Sequence, residues 1–330
     1  DASFEGIFGP KMEKIGGKSW ATSSELSVMG IIEPIKRLPH LIWLRKRILK
    51  KWLQRPPDVF IGIDSPDFNL TLEEKLRSNG ITTVHYVSPS IWAWRPNRIK
   101  KIRRCADKVL CLLPFEPDLY KKHEISAVFV GHPAANTLPY DLESSAVRDK
   151  FELPSGTIIA ILPGSRSSEI ENLGPIFADV AKLLIDRYEG ISFVSPMSSP
   201  GIYNQFEKFL IDNNIRDHFL LVKGYSHEMI VASNIVLLAS GTAALESALL
   251  CRPTIAAYKV SKLSYFILNK LIKIDSFTLP NILLDKKIIP EFIQNEASVE
   301  NLNKAICEHL DNPSYKEMIT DDFMLLRSKL

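Results

Sequence analysis

Apolar residues in this chain come in short runs, separated by longer stretches with helical spacing, and the alternation continues nearly from end to end. Short apolar runs bounded by turn residues read as buried strands, and the stretches between them read as helices. The pattern predicts strands over Val59–Ile63, Thr82–Val87, Lys108–Leu112 and Ala127–Val130 in the first half. In the second half it predicts them over Thr157–Leu162, Ile191–Ser195, Phe219–Val222, Asn234–Leu238 and Thr254–Ala257. Helices are expected between them, including Ile170–Tyr188, Ile202–Asn213 and Thr242–Leu250, and Ser168 with Glu171 has capping-box spacing for the first. Strands that alternate with helices argue for an α/β protein with parallel sheets built from βαβ units.

A chain of 330 residues exceeds what one hydrophobic core usually holds, so two domains are expected. The natural hinge is Gly131-His132-Pro133 with the polar stretch that follows, which gives domains over 1–137 and 138–330. The last helix is free to return to the first domain. Two such lobes predict a ligand held in a cleft at the carboxyl ends of the strands.

Composition adds mainly exclusions. With 45% hydrophobic and 24% charged residues the chain reads as a soluble globular protein. A net charge of +3 is too small to argue for nucleic acid, and no such partner is expected. Cys105, Cys111, Cys251 and Cys307 form no CxxC pair and read as reduced core residues of a cytoplasmic protein. No apolar run reaches the length of a membrane span, and none reads as a signal peptide. Both ends are expected to be cut, since Ser3–Gly9 already reads as an interior strand and Leu330 falls inside a helical pattern.

Local clustering of charge says more than the total. On a helix, Leu41, Ile42, Leu44, Ile48, Leu49, Trp52 and Leu53 fall on one side, with Lys46, Arg47, Lys50 and Lys51 opposite and Trp43 among them. Tryptophan amid basic residues suits an anionic membrane surface, and an apolar side packed on the core is compatible with that role.

The strongest chemical signal is Leu237 to Glu246, where an apolar run ends in Ser240-Gly241-Thr242 and then Ala243 opens a helix. Such a junction aims backbone N–H groups and the positive end of a helix dipole at one spot, as a diphosphate requires. Glu246, one turn on, is placed to accept hydrogen bonds from ribose hydroxyls. A second turn at a strand end, Gly164-Ser165-Arg166 with Glu169 after it, adds a guanidinium able to meet a phosphate bidentately. In the first half, Asp64 closes a strand at its carboxyl end, where α/β enzymes keep catalytic groups, although Asp64 and Asp67 could equally cap the next helix. No histidine or third carboxylate lies nearby, so no metal is expected. Trp92 and Trp94, in a loop after a strand, must pack on neighbouring helices or on an apolar or sugar ligand. Asn69, Ser88, Trp92 and Trp94 are the candidates for contacts with a ligand on this side of the cleft, the side of an acceptor if the diphosphate belongs to a donor. His85 and His132 read as structural.

GIDSPDFN from Gly62, HYVSPSIWAWR from His85, LPFE, GHP, LPGSR, LLASGTAALE and TLPN from Thr278 occur in one order, and together they resemble the lipid-A-disaccharide synthases. The resemblance covers about Asp1 to Pro290. It implies the GT-B fold, two Rossmann-like domains facing across a cleft, with one further strand and a Gly-rich loop expected ahead of Asp1. It also implies a metal-independent, cofactor-free inverting glycosyltransferase. The implied substrates are an acylated UDP-sugar donor and an acylated sugar 1-phosphate acceptor, joined at the cytoplasmic side of the inner membrane. By position, Asp64 matches the essential aspartate, and Arg166, the Ser240–Ala243 turn, Glu246 and Asn281 match the UDP-binding side. Homo-oligomerisation is allowed. A UDP-N-acetylglucosamine 2-epimerase, another GT-B enzyme or a truncated UDP-sugar-binding protein are the alternatives.

Overall fold

The structure is a computed structural model that describes residues 2–26, 32–139, 142–239, 241–261, 265, 275–312 and 314–330. The chain divides after Val130 into two units, Asp1–Val130 and Gly131–Leu330.

In the first unit β1 (Glu5–Phe8), α1 (Pro10–Lys14) and β2 (Lys18–Thr22) form a small parallel pair, followed by the long helix α2 (Ile32–Gln54). Then come β3 (Val59–Ile63), α3 (Pro66–Arg77), β4 (Thr82–Tyr86), α4 (Ile99–Cys105), β5 (Lys108–Cys111), α5 (Glu116–Lys121) and β6 (Ala127–Phe129). The four later strands pair in parallel in chain order, β3-β4-β5-β6. Leu44, Ile48 and Trp52, spaced four apart on α2, pack with Phe60 of β3 and with Leu72 and Leu76 of α3. Leu53, expected on the same apolar side, instead faces outward at 40% exposure. It lies one residue past Trp52, and a 100° step per residue carries it off the buried stripe. Phe60 and Gly62 of β3 point into this core, whereas Val59, Ile61 and Ile63 are exposed on the opposite face.

The second unit runs α6 (Pro133–Thr137), α7 (Ser144–Lys150), β7 (Ile158–Leu162), α8 (Ser167–Arg187), β8 (Ser192–Met197), α9 (Pro200–Asp212), β9 (Phe219–Lys223), α10 (Ser226–Ala232), β10 (Ile235–Ala239), α11 (Thr242–Leu249), β11 (Thr254–Tyr258), α12 (Leu279–Leu284), β12 (Glu291–Ile293), α13 (Val299–Leu310) and α14 (Tyr315–Lys329). Its six strands are parallel in the order β12-β11-β10-β7-β8-β9. Every residue of β7 and β10 is buried, as expected of central parallel strands covered on both faces. The core gathers Ile159, Ile161, Phe193 and Leu237 of the sheet against Phe177 and Leu184 of α8 and Phe206 of α9. Arg327 of α14 donates to the carbonyls of Ala135, Leu138 and Leu249, which ties the last helix to the second unit.

Most predicted strands are found within a residue or two of their expected ends. β2 and β12 were not predicted, because neither has a fully buried residue and so neither carries an apolar run. The cap of α8 differs from the expected one. The helix starts at Ser167, and the carboxylate that folds back on its first turn is Glu169 rather than Glu171. Glu171 accepts from Ser167 Oγ instead, at 3.1 Å. Among the described residues no helix is long and apolar enough to cross a membrane.

Candidate active site

At the carboxyl end of β3 the chain reverses through two successive residues in the left-handed region, Asp64 (φ 47°) and Ser65 (φ 43°). Left-handed backbone is disfavoured for residues with a Cβ and is concentrated where structure is over-determined for function. Two contacts hold the reversal. Asp64 N–H donates to Tyr86 O at 2.9 Å and so extends the β3–β4 ladder by one rung. Asn69 Nδ2 donates to Ile63 O at 3.0 Å and to Asp64 O at 2.7 Å. Asn69 is buried, so this acceptor-side candidate is a clamp on the backbone that presents Asp64. The Asp64 side chain itself is exposed.

Under this turn lies a fully buried ionisable pair. His85 Nδ1 and Glu73 Oε1 are 2.7 Å apart, and both side chains have no exposure. Burial holds the Glu73 carboxyl above its ordinary range, against the opposing pull of the His85 hydrogen bond and charge. The sequence expectation of a satisfied structural histidine holds for Nδ1 only. Glu73 Oε2 and His85 Nε2 have no partner.

The aromatic segment after β4 divides into two parts. Ser88 Oγ shares a hydrogen bond with Tyr120 OH at 2.9 Å, inside the core. Trp92 Nε1 donates to Glu116 Oε1 at 3.4 Å, and its ring meets Phe115 edge-on at 5.4 Å. Burial raises the Glu116 carboxyl, while the Leu113 N–H and Ser88 work the other way. These residues lock the WAW loop onto the LPFE turn. Trp94 is set differently. The Arg95 guanidinium lies over its ring at 4.3 Å and that of Arg98 at 5.8 Å. Arg98 Nη2 donates to Asp67 Oδ1 at 2.5 Å, and Arg95 Nη1 lies 3.9 Å from Asp67 Oδ2. The sequence reading assigned these two arginines no role. Their positions one and four after a loop tryptophan are the signal that could have found them.

In the second unit, β10 pairs with β7 so that Leu238 lies opposite Leu162. The turns after the two strands therefore leave the same edge of the sheet, about one strand spacing apart. Gly164 adopts φ +121°, and a Cβ there would sit 2.6 Å from the Glu169 Cβ, so no other residue suits this corner. Glu169 Oε2 accepts from Ser165 N–H at 2.9 Å and Arg166 N–H at 3.3 Å, while Oε1 meets Arg166 Nη1 at 2.7 Å. The loop thus behaves as an anion cradle whose amides and guanidinium already hold the chain's own carboxylate. Tyr258, at the end of the adjoining strand β11, feels the charges of Glu169 and Arg166, although burial is what chiefly raises its hydroxyl pKa.

At the other turn Ser240 lies outside the described residues. Gly241 is extended with open space on its side-chain position, and Thr242 and Ala243 begin α11 at partly or fully exposed sites. Glu246 is half-buried, with His227 Nε2 3.3 Å from its carboxylate. Asn281, expected on the UDP side, has its side chain engaged within the fold. It is buried, its Oδ1 accepts from Ile288 and Ile289 N–H, both at 2.9 Å, and its Nδ2 donates to Ile289 O at 2.8 Å. An asparagine so used closes the loop between α12 and β12. Asn281→Ala is expected to lower stability by about 1–3 kcal/mol in denaturant unfolding, because it strands the two amides.

Several comparisons bear on this arrangement. A family model described as lipid-A-disaccharide synthetase matches residues 1–328. The lipid-A-disaccharide synthase of Idiomarina loihiensis is 43% identical over 324 residues, covering 97% of this chain and 86% of that one. That of Hahella chejuensis is 42% identical, covering 98% and 81%. Among solved structures, the UDP-N-acetylglucosamine 2-epimerase of Neisseria meningitidis bound to UDP-GlcNAc aligns at TM-score 0.63 and 12% identity, covering 98% of each chain. A glycosyltransferase from Rickettsia africae aligns at TM-score 0.53 and 12% identity, covering 97% and 81%. At that identity the structures speak for the fold alone, which is the two-domain Rossmann-like architecture expected from the motifs. The epimerase alternative is not favoured, since the extensive sequence identity lies with the synthases, and this chain belongs to the lipid-A-disaccharide synthetase family.

Proposed function

We propose that this protein transfers the acylated glucosamine of UDP-2,3-diacylglucosamine to the 6-hydroxyl of 2,3-diacylglucosamine 1-phosphate, forming the β-1,6-linked disaccharide 1-phosphate and releasing UDP. Identity above 40% to synthases of that name over nearly the whole chain carries the reading. The donor sugar is α-linked, so a single backside displacement yields the β product. Asp64, exposed at the end of β3, is assigned to take the proton of the attacking hydroxyl as the bond forms. Negative charge then develops on the leaving diphosphate. The N–H groups after β7 and β10, the dipoles of α8 and α11 and the Arg166 guanidinium are the chain's own means of stabilising it. Glu246 is assigned to the ribose hydroxyls, which requires the nucleotide to displace His227 from its carboxylate.

The test is incubation with each acylated sugar alone and with both together. Release of UDP only when both are present, with a disaccharide of the expected mass, supports a transferase. Conversion of the donor without any acceptor overturns it.

Both substrates carry acyl chains, and the basic face of α2 is proposed to meet them at an anionic bilayer on the cytoplasmic side of the inner membrane. Trp43 is 53% exposed, stacks on His40 and lies under the Arg47 guanidinium at 5.3 Å, with Lys46 and Lys50 also exposed. Lys51 is partly committed, since its ammonium lies 3.5 Å from the centre of the Trp20 ring. Replacing Lys46, Arg47 and Lys50 together by glutamate is expected to abolish cosedimentation with anionic vesicles at low salt, as each basic residue near such a surface contributes about 1 kcal/mol. Unchanged cosedimentation removes α2 from that role.

A further inference from the structure

The geometry points to the Asp67–Arg95–Arg98 cluster as the site that recognises the phosphate monoester of the acceptor. This inference rests on the transferase reading and adds to it the residues that distinguish a sugar 1-phosphate from a free sugar. Three guanidinium groups converge on one residue: Arg98 and Arg95 on the Asp67 carboxylate, and Arg45 of α2 on the Asp67 backbone carbonyl at 3.4 Å. One carboxylate leaves most of that charge unbalanced, and a phosphate monoester brings about −1.5 to −2 at neutral pH. Arginine also offers paired N–H donors that match phosphate oxygens bidentately.

The surrounding structure is built to hold these groups still. Arg95 occupies the left-handed region at φ 52°, which turns the chain so that Arg95 and Arg98 flank the Trp94 ring. The Arg98 side chain is only 11% exposed, whereas those of Arg95 and Asp67 are 52% and 79% exposed and accessible to a ligand. Asp67 lies in the first turn of the twelve-residue helix α3, so the helix dipole adds to the guanidinium charge.

Position gives the second line of argument. Asp67 follows Asp64 by three residues, a reach of at most about 10 Å along the chain. A sugar ring carries its 6-hydroxyl and its 1-phosphate at opposite ends and fits within that reach. A hydroxyl at Asp64 and a phosphate at Arg95 and Arg98 would anchor the acceptor at both ends, with the reacting oxygen set by the phosphate. In the free protein Asp67 holds the arginines in place, and the arriving phosphate shares or takes over their N–H donors.

The experiment compares the native protein with Arg95→Gln and Arg98→Gln. Binding of 2,3-diacylglucosamine 1-phosphate, and of the same sugar lacking its phosphate, is measured by calorimetry in detergent. UDP release is followed in parallel with each acceptor. Either substitution is expected to weaken binding of the phosphorylated acceptor roughly 10- to 100-fold, as loss of charge-assisted hydrogen bonds does, and to raise its KM alike. Donor KM and all measurements with the unphosphorylated sugar are expected to stay at native values. Unchanged affinity in Arg95→Gln overturns the proposal, and so does equal weakening toward both sugars, which would mark a packing role for the loop. If Arg98→Gln fails to fold, Arg95→Gln alone decides, because its side chain is half exposed. A protein that binds the phosphate through these arginines yet never releases UDP sinks the transferase reading and leaves this site standing. Normal turnover in both variants does the reverse.

Discussion

Replacing Asp64 with asparagine is expected to slow disaccharide formation by about 10²- to 10⁴-fold, the usual contribution of a positioned general base, and to leave UDP affinity unchanged. The substitution is well suited to the question. Asparagine tolerates the left-handed backbone that Asp64 adopts, and the Asn69 clamp and the bond to Tyr86 engage only main-chain atoms of residue 64. The turn therefore survives, and only the proton acceptor is lost. The turns assigned to the donor belong to another unit of the chain, so UDP titration by calorimetry reads them independently. Near-native turnover in the variant would remove Asp64 from the base role. A parallel loss of UDP affinity would mean that the residue acts on binding.

Glu73→Ala is expected to destabilise the first unit by about 3–5 kcal/mol, since removing one partner of a buried pair leaves the other without compensation. Denaturant unfolding measures it. Among the described residues, the His85 side chain would lose its one hydrogen bond while staying fully buried. Gly62 makes the prediction sharper. A Cβ at position 62 would overlap Glu73 Oε1, whereas its next neighbour, the Asn69 Cβ, is 3.1 Å away. Gly62→Ala alone is thus expected to destabilise by about 1–3 kcal/mol through overpacking. Combined with Glu73→Ala it is expected to add little, because the obstructing atom is gone. Strictly additive effects in that double-mutant cycle would refute the contact. Glu73→Gln separates charge from shape. Burial raises the Glu73 pKa in the folded protein, so the native state binds that proton more tightly than the unfolded chain does. This contribution is complete below the ordinary carboxylate pKa and is lost as pH rises through the elevated folded value. Glutamine carries no such dependence, so Glu73→Gln should gain stability relative to the native protein as pH increases.

The central strands of the second unit were legible because parallel strands buried on both faces read as unbroken apolar runs. Ile158–Leu162 and Ile235–Ala239 are the clearest cases. β3 was found at its expected bounds, but its exposure was not legible. Its run Val-Phe-Ile-Gly-Ile looks equally continuous, yet alternate residues are exposed, because sequence cannot tell which faces of a sheet acquire a covering layer. Glycine-rich turns were legible too, as a left-handed or crowded corner admits few other residues, and Gly164 is such a position.

The division of labour within those turns was not legible. Asn69, Ser88 and Asn281 have the chemistry of ligand-binding groups, and only their neighbours in space show their polar atoms hydrogen-bonded to backbone carbonyls, amides and a core hydroxyl. Arg95, Arg98 and Asp67 are the opposite case. The sequence offered Asp67 only as a helix cap and gave the arginines no role, and the turn at Arg95 brings both guanidinium groups to one carboxylate and one indole ring.

By itself the sequence determined the parallel α/β architecture, the two-unit organisation and the family, since all of these depend on local pattern or ordered motifs. Only the tertiary structure decided which polar groups remain free to meet a substrate. Hydrogen-bond satisfaction and burial are properties of side chains far apart along the chain, and no local pattern encodes them.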